Sequence, residues 1–154
     1  MKLRLLSVGK PSDREAAALH DRYAERIRAL GVEYSSSWVR EVRAGGRYSD
    51  PHVRERESSA LLEAAGTRGV LVTVDPSGEL LSTAEVADRL PRWAAPSATF
   101  LLGGPLGHHP TLLERAGRSW SLSPLTFPHE IARALVAEQL YRALTIARRL
   151  PYHK

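Results

Sequence analysis

Two kinds of apolar pattern alternate along this chain. Residues 69–75 (Gly-Val-Leu-Val-Thr-Val-Asp) and 98–102 (Ala-Thr-Phe-Leu-Leu) are short, nearly continuous apolar runs, the pattern of strands buried on both faces. Residues 2–9 alternate loosely and end in glycine, and 32–39 are rich in side chains that favour pleated structure; both read as strands. The stretches between them carry helix signals. Ser12-Asp13-Arg14-Glu15 fits a capping box, in which the hydroxyl and the carboxylate each satisfy an orphan amide, and predicts a helix to about Leu30, closed by Gly31. Asp50 before Pro51 predicts a second helix, capped by the aspartate and ending near Gly66. Pro76-Ser77-Gly78 turns the chain, and Ser82-Thr83-Ala84-Glu85 is another capping box, opening a helix to about Trp93. A short helix over 110–116, a short strand over 120–122 and a long helix over about 128–149 complete the series.

Strands alternating with helices predict an α/β fold: one domain over 1–154, a mostly parallel sheet and helices on both faces. In such sheets ligands bind at the carboxyl ends of the strands, beside a topological switch. Val74-Asp75, Gly103-Gly104 and the loop 122–127 all fall at such ends. The 154 residues suffice for one real core. The absence of cysteine excludes disulfides and thiolate metal sites, and no metal site is expected. No apolar run approaches a membrane span and the first residues do not make a signal peptide, so a soluble, cytoplasmic protein is expected, with no membrane or DNA partner. The net charge is +5, and nineteen of the 22 basic residues are arginine. Base composition accounts for much of that bias; arginine also binds phosphate bidentately and stacks on bases.

The chemistry concentrates in the last third. Leu101-Leu102-Gly103-Gly104-Pro105-Leu106-Gly107 is neither a dinucleotide G-x-G-x-x-G loop nor a P-loop, because the acidic residue of the one and the Lys-Ser/Thr pair of the other are missing. Its glycines either make a tight strand-to-helix turn or let backbone amides approach a ligand. Leu122-Ser123-Pro124-Leu125-Thr126-Phe127-Pro128-His129 is apolar but broken by prolines. It suits a flat apolar ligand such as adenine, or a connection across the core. In the long helix Ile131, Leu135, Glu138, Arg142 and Ile146 share a side, which places Glu138 and Arg142 one turn apart as an ion pair. Leu140, Ala143, Leu144 and Ala147 form another apolar side, so this helix needs cover from the rest of the domain, with a second subunit as a further candidate. The tail, Arg148 to Lys154, mixes cations with Tyr152, as single-stranded RNA sites do; it is otherwise a frayed end.

Taken together, Leu-Leu-Gly-Gly-Pro-x-Gly, Ser-Leu-Ser-x-Leu-Thr-x-Pro-His, Glu138-Gln139-Leu140-Tyr141-Arg142-Ala143 and the closing Pro-Tyr-His-Lys resemble the pseudouridine N3-methyltransferases of the large ribosomal subunit, in the SPOUT superfamily. Met-Lys-Leu-x-Leu-x-x-Val-Gly-Lys at the start also fits, and residues 40–90 match loosely. The resemblance implies an α/β fold with a C-terminal trefoil knot, a homodimer with the site at its interface, and S-adenosylmethionine as cofactor. It implies methylation of N3 of a pseudouridine in helix 69 of 23S rRNA, on assembled ribosomes. Carried over by position, the cofactor site is Val74, Gly103, Leu122, Ser123, Pro124, Leu125, Thr126 and Phe127. Val74 stands where leucine is expected, and Leu106 where an acidic residue is common. His129, otherwise a cap of the last helix, and His153 are the candidate general bases; Arg133, Arg142, Tyr152, His153 and Lys154 are the candidate RNA contacts, with the cofactor carboxylate as the alternative partner of Arg133 or Arg142. The rival expectations are a non-catalytic ribosome- or RNA-binding protein on the same fold and, further off, another small-molecule α/β enzyme.

Overall fold

The computed structural model describes residues 1–43 and 45–153. Five strands and five helices alternate: β1 (Lys2–Val8), α1 (Arg14–Ala29), β2 (Glu33–Val39), α2 (Asp50–Ala65), β3 (Val70–Leu80), α3 (Thr83–Trp93), β4 (Ser97–Leu102), α4 (Pro110–Ala116), β5 (Ser119–Ser121) and α5 (His129–Ala147). All strand pairs are parallel, in the order β2-β1-β4-β3-β5.

Alternation along the strands divides the core between two faces. Leu3 and Leu5 of β1, Val72 and Val74 of β3, and Phe100 and Leu102 of β4 face one side. There they pack with α1 (Ala24, Ile27), α3 (Val86, Leu90, Trp93) and α5 (Val136, Leu140, Leu144). Leu6, Val8 and Leu101 face the other, against Leu61 of α2 and Leu112 of α4. Trp93, Phe100 and Trp120 meet at tilted and edge-on angles, with centroids 6.1 to 6.4 Å apart, the separations aromatic pairs prefer. α5 lies between α1 and α3, which is why it is apolar so far around; Leu140 and Ala143 are wholly buried, while Ala147 is exposed.

Several local expectations change. Asp13, not Ser12, caps α1 and accepts the Ala16 N–H at 2.8 Å. Ser12 is instead drawn to Glu130 at the start of α5, whose carboxylate accepts the Ser12 and Asp13 amides. Ser49 rather than Asp50 stands at the N-cap of α2, without a side-chain capping bond, so the proline falls one position later in the first turn. The capping box of Ser82 and Glu85 is present as expected. β3 does not end at Asp75. Val74 and Glu79 both pair with Trp120, so residues 75–78 loop out and the strand resumes to Leu80. The loop-out is held by Asp75, which accepts the Ser77 N–H at 2.9 Å. It depends on Gly78, whose missing Cβ would lie 2.8 Å from the backbone of Ser119.

Candidate functional site

A cavity of about 530 Å³ opens at the carboxyl ends of β3 and β4, within the range of small-molecule sites. Three segments wall it: Val74 to Pro76 where β3 loops out, Leu102 to His108 after β4, and Leu122 to His129 after β5, with Ala132 of α5 closing one side. Each begins where a buried strand runs out of sheet partners, so the backbone turns irregular under apolar cover.

The site brings together most of the residues expected from sequence. Val74, Gly103, Leu122, Ser123, Leu125, Thr126, Phe127 and His129 line the cavity. Pro124 belongs to the same loop but is not among the lining residues. The loop is braced by its own polar groups: Ser121 donates its hydroxyl to the Ser123 carbonyl at 3.1 Å, and Ser123 Oγ accepts the Leu125 N–H at 3.0 Å. Leu125 is 69% exposed, and Phe127 and Ile131 are exposed beside it.

Other candidates lie elsewhere. Arg133 turns toward β2 and donates to Ser36 Oγ at 2.8 Å; burial lowers its pKa. Arg142 donates to Glu138 from Nε at 2.9 Å and from a terminal nitrogen at 2.6 Å, the ion pair expected from spacing. Tyr152 folds back on that pair. Its hydroxyl donates to Glu138 at 3.1 Å and sits 3.2 Å from the Tyr23 hydroxyl, while the Arg142 guanidinium stacks 4.7 Å from its ring centroid. Burial, the Tyr23 hydroxyl and the Glu138 carboxylate push the Tyr152 phenol up. The tail is thus docked rather than frayed as far as Tyr152. His153 is exposed and does not line the cavity; Lys154 lies outside the described residues.

Two polar lining residues were given no functional role from the sequence. Asp75 puts a carboxylate on an otherwise apolar wall, and its signal was an acid closing a buried run. His108 is 5% exposed. Its Nε2 lies 3.2 and 3.3 Å from the carbonyls of Leu101 and Val74, so that nitrogen carries the proton and donates. Nδ1 is then a buried acceptor without a partner among the described residues. Burial lowers the pKa of His108, against a smaller upward pull from Asp75, so the ring is neutral. Its ring lies against Gly103, where a Cβ would come within 3.1 Å of it. The glycine at 103 therefore gives room to the histidine as well as to a ligand.

Among the described residues no cluster of three metal-ligating side chains exists, and no helix is long and apolar enough to cross a membrane.

Residues 1–153 match the family model described as "Predicted SPOUT methyltransferase". The chain is 41% identical over its whole length to a protein of Alkalilimnicola ehrlichii, covering 99% of that relative, and 38% identical to one of Gemmatimonas aurantiaca, covering all of it. Both are called "Ribosomal RNA large subunit methyltransferase H". A solved structure described as a probable methylase family protein from Haemophilus influenzae shares the fold, with a TM-score of 0.52 over 99% of this chain and 70% of the other, at 10% identity.

Proposed function

Since the chain belongs to the SPOUT methyltransferase family, we propose that it methylates large-subunit ribosomal RNA from S-adenosylmethionine, at N3 of the pseudouridine in helix 69 of 23S rRNA on assembled cytoplasmic ribosomes. The observation that carries this reading is the three-walled cavity at the carboxyl ends of β3 and β4. Its walls suit the cofactor. Val74, Leu122 and Leu125 offer apolar surface for a flat ring, Gly103 keeps the floor open, and the irregular backbone of Leu122 to Phe127, with Pro124 stiffening it, offers main-chain hydrogen bonds. Asp75 supplies a negative charge for a cationic ligand, and the free Nδ1 of His108 marks a polar floor. Bound there, S-adenosylmethionine supplies an electrophilic methyl group.

The rest of the chemistry is positioning. The imino proton at N3 leaves as the methyl arrives, and His129, on the cavity wall at the first position of α5, is the group in this chain placed to accept it. Its place is fixed by the next residue, since Glu130 ties α5 to the turn before α1. Tyr152, His153 and Lys154 serve the RNA, with Arg142 holding Tyr152 in place; Arg133 and Arg142, each engaged within its own chain, contribute less. None of Tyr152, His153, Arg133 or Arg142 lines the cavity of its own chain. The tail therefore acts at a partner's cavity in a homodimer, whose interface takes in the exposed Leu125, Phe127 and Ile131. In the same reading the segment from β5 into α5 is the last pass of a trefoil knot.

The test is transfer of labelled methyl from S-adenosylmethionine to ribosomes that lack the modification, beside free 23S rRNA. Label on the helix-69 pseudouridine of intact ribosomes, with little on free RNA, is expected. Tight ribosome binding with no label on either would replace the enzyme by a binding protein.

A further inference from the structure

Two adjacent residues of α2, Glu57 and Ser58, are 2% and 3% exposed, and neither lines the cavity. Between them they hold two loops. Glu57 Oε1 accepts the Val42 N–H at 2.8 Å, in the loop 40–49 that leaves β2. Glu57 Oε2 is buried without a hydrogen-bond partner among the described residues. It lies against the glycine loop, 2.8 Å from where a Cβ of Gly104 would stand. Ser58 Oγ accepts the His109 N–H at 2.9 Å, at the far end of the same loop. One turn of α2 thus packs against the loop 103–109 at Gly104, hydrogen-bonds it at His109, and hydrogen-bonds the loop 40–49 at Val42.

A carboxyl buried this deeply is unfavourable unless its polar atoms are used. Burial pushes its pKa up, and nearby Glu41 pushes the same way. A leucine would fill the place beside Val8 and Gly104 but could not accept from Val42. The loop 40–49 also bears Arg40, Arg43 and Arg47, which form no ion pair among the described residues, so these contacts join a cationic loop to a wall of the cavity.

We propose that Glu57 is a positioning residue: hydrogen-bonded to Val42 and packed against Gly104, it couples the arginine-bearing loop 40–49 to the glycine loop 103–109, so that order in the first loop sets order in the cavity wall. The consequence for ligand binding rests on reading the cavity as the cofactor site; the tie itself does not. RNA phosphates gathered by Arg40, Arg43 and Arg47 then steady the cofactor loop, and by reciprocity the cofactor strengthens RNA binding by the same factor.

Val42→Pro removes the N–H and leaves Glu57 in place; Glu57→Leu removes the acceptor; Glu57→Gln keeps an acceptor for Val42. Amide hydrogen exchange over 103–109 is measured on the full-length proteins, and S-adenosylhomocysteine binding by calorimetry. Val42→Pro and Glu57→Leu should each speed exchange in 103–109 and weaken binding about tenfold, with the double variant no weaker than Glu57→Leu alone. Glu57→Gln should stay within about twofold of the wild type. Unchanged exchange in 103–109 on Val42→Pro, or losses that multiply in the double variant, would overturn the tie. If Glu57→Leu does not fold, Val42→Pro and Glu57→Gln decide the question through exchange. A wild type that binds no S-adenosylhomocysteine overturns the cofactor reading of the cavity, while the exchange result still decides the tie.

Discussion

His20, His108 and Glu57 are buried titratable groups whose surroundings act in opposite senses on stability. Burial lowers both histidines from their usual 6.5. As pH falls below about 6.5 the unfolded chain takes up protons that the folded chain refuses, so stability falls on acidification. Glu57 is raised from 4.5; its neutral form stabilises the fold fully below 4.5, and that contribution is lost as pH rises through its folded pKa. Between pH 7.5 and 5.5 the two buried histidines pull the urea midpoint down. A His20→Gln, His108→Gln variant should show a smaller drop; an equal one would contradict the assignment. Gly103 is tested by binding. In Gly103→Ala the new methyl would stand 3.1 Å from the His108 ring, and the wall must shift. S-adenosylhomocysteine affinity measured by calorimetry should fall about tenfold, with little change in melting temperature.

β3 shows how an element is decided by its neighbour. Its apolar run predicts a strand ending at Asp75, yet Trp120 pairs with both Val74 and Glu79 and the strand resumes beyond a loop-out. That pairing needs the close backbone approach that Gly78 permits. Gly78→Ala places a Cβ 2.8 Å from Ser119 backbone, which cannot withdraw as a flexible side chain can. It should cost about 2 kcal/mol in urea unfolding, the size of an overpacked core site, and amides of β5 should exchange faster; a neutral effect would mean that the bulge is not held by this contact. α1 makes the same point: Ser12 has the right neighbours for a capping box, but Glu130, 118 positions away, takes its amide and leaves Asp13 to cap.

At the scale of the whole molecule, the described tail as far as His153 does not reach the cavity of its own chain, and exposed apolar residues lie on the loop that walls it and at the start of α5. Leu125, Phe127 and Ile131 are large apolar residues left in contact with water, which a second copy would cover. Phe127→Glu with Ile131→Glu should convert a dimer to a monomer in sedimentation velocity and reduce methyl transfer to ribosomes, while each chain keeps its melting behaviour. A wild type that sediments as a monomer at micromolar concentration would remove the dimer from the proposal.

The sequence by itself determined the order of the ten elements, because buried strands and amphipathic helices write different periods and because Gly66, Gly31 and the Ser82–Glu85 box mark helix ends locally. It also determined where the cavity would be walled: glycine and proline in apolar loops at strand ends cannot continue the sheet. The Glu138–Arg142 pair was legible for the same reason, since one helical turn suffices to join it. What only the tertiary structure decided are relations between distant segments. The strand order, the looped-out Asp75, the neutral His108 beneath Gly103, the folding back of Tyr152 and the Glu57 carboxyl bonded to Val42 and packed against Gly104 each join residues from separate elements. No local period carries such contacts, because they exist only once the sheet has brought the loops to one edge.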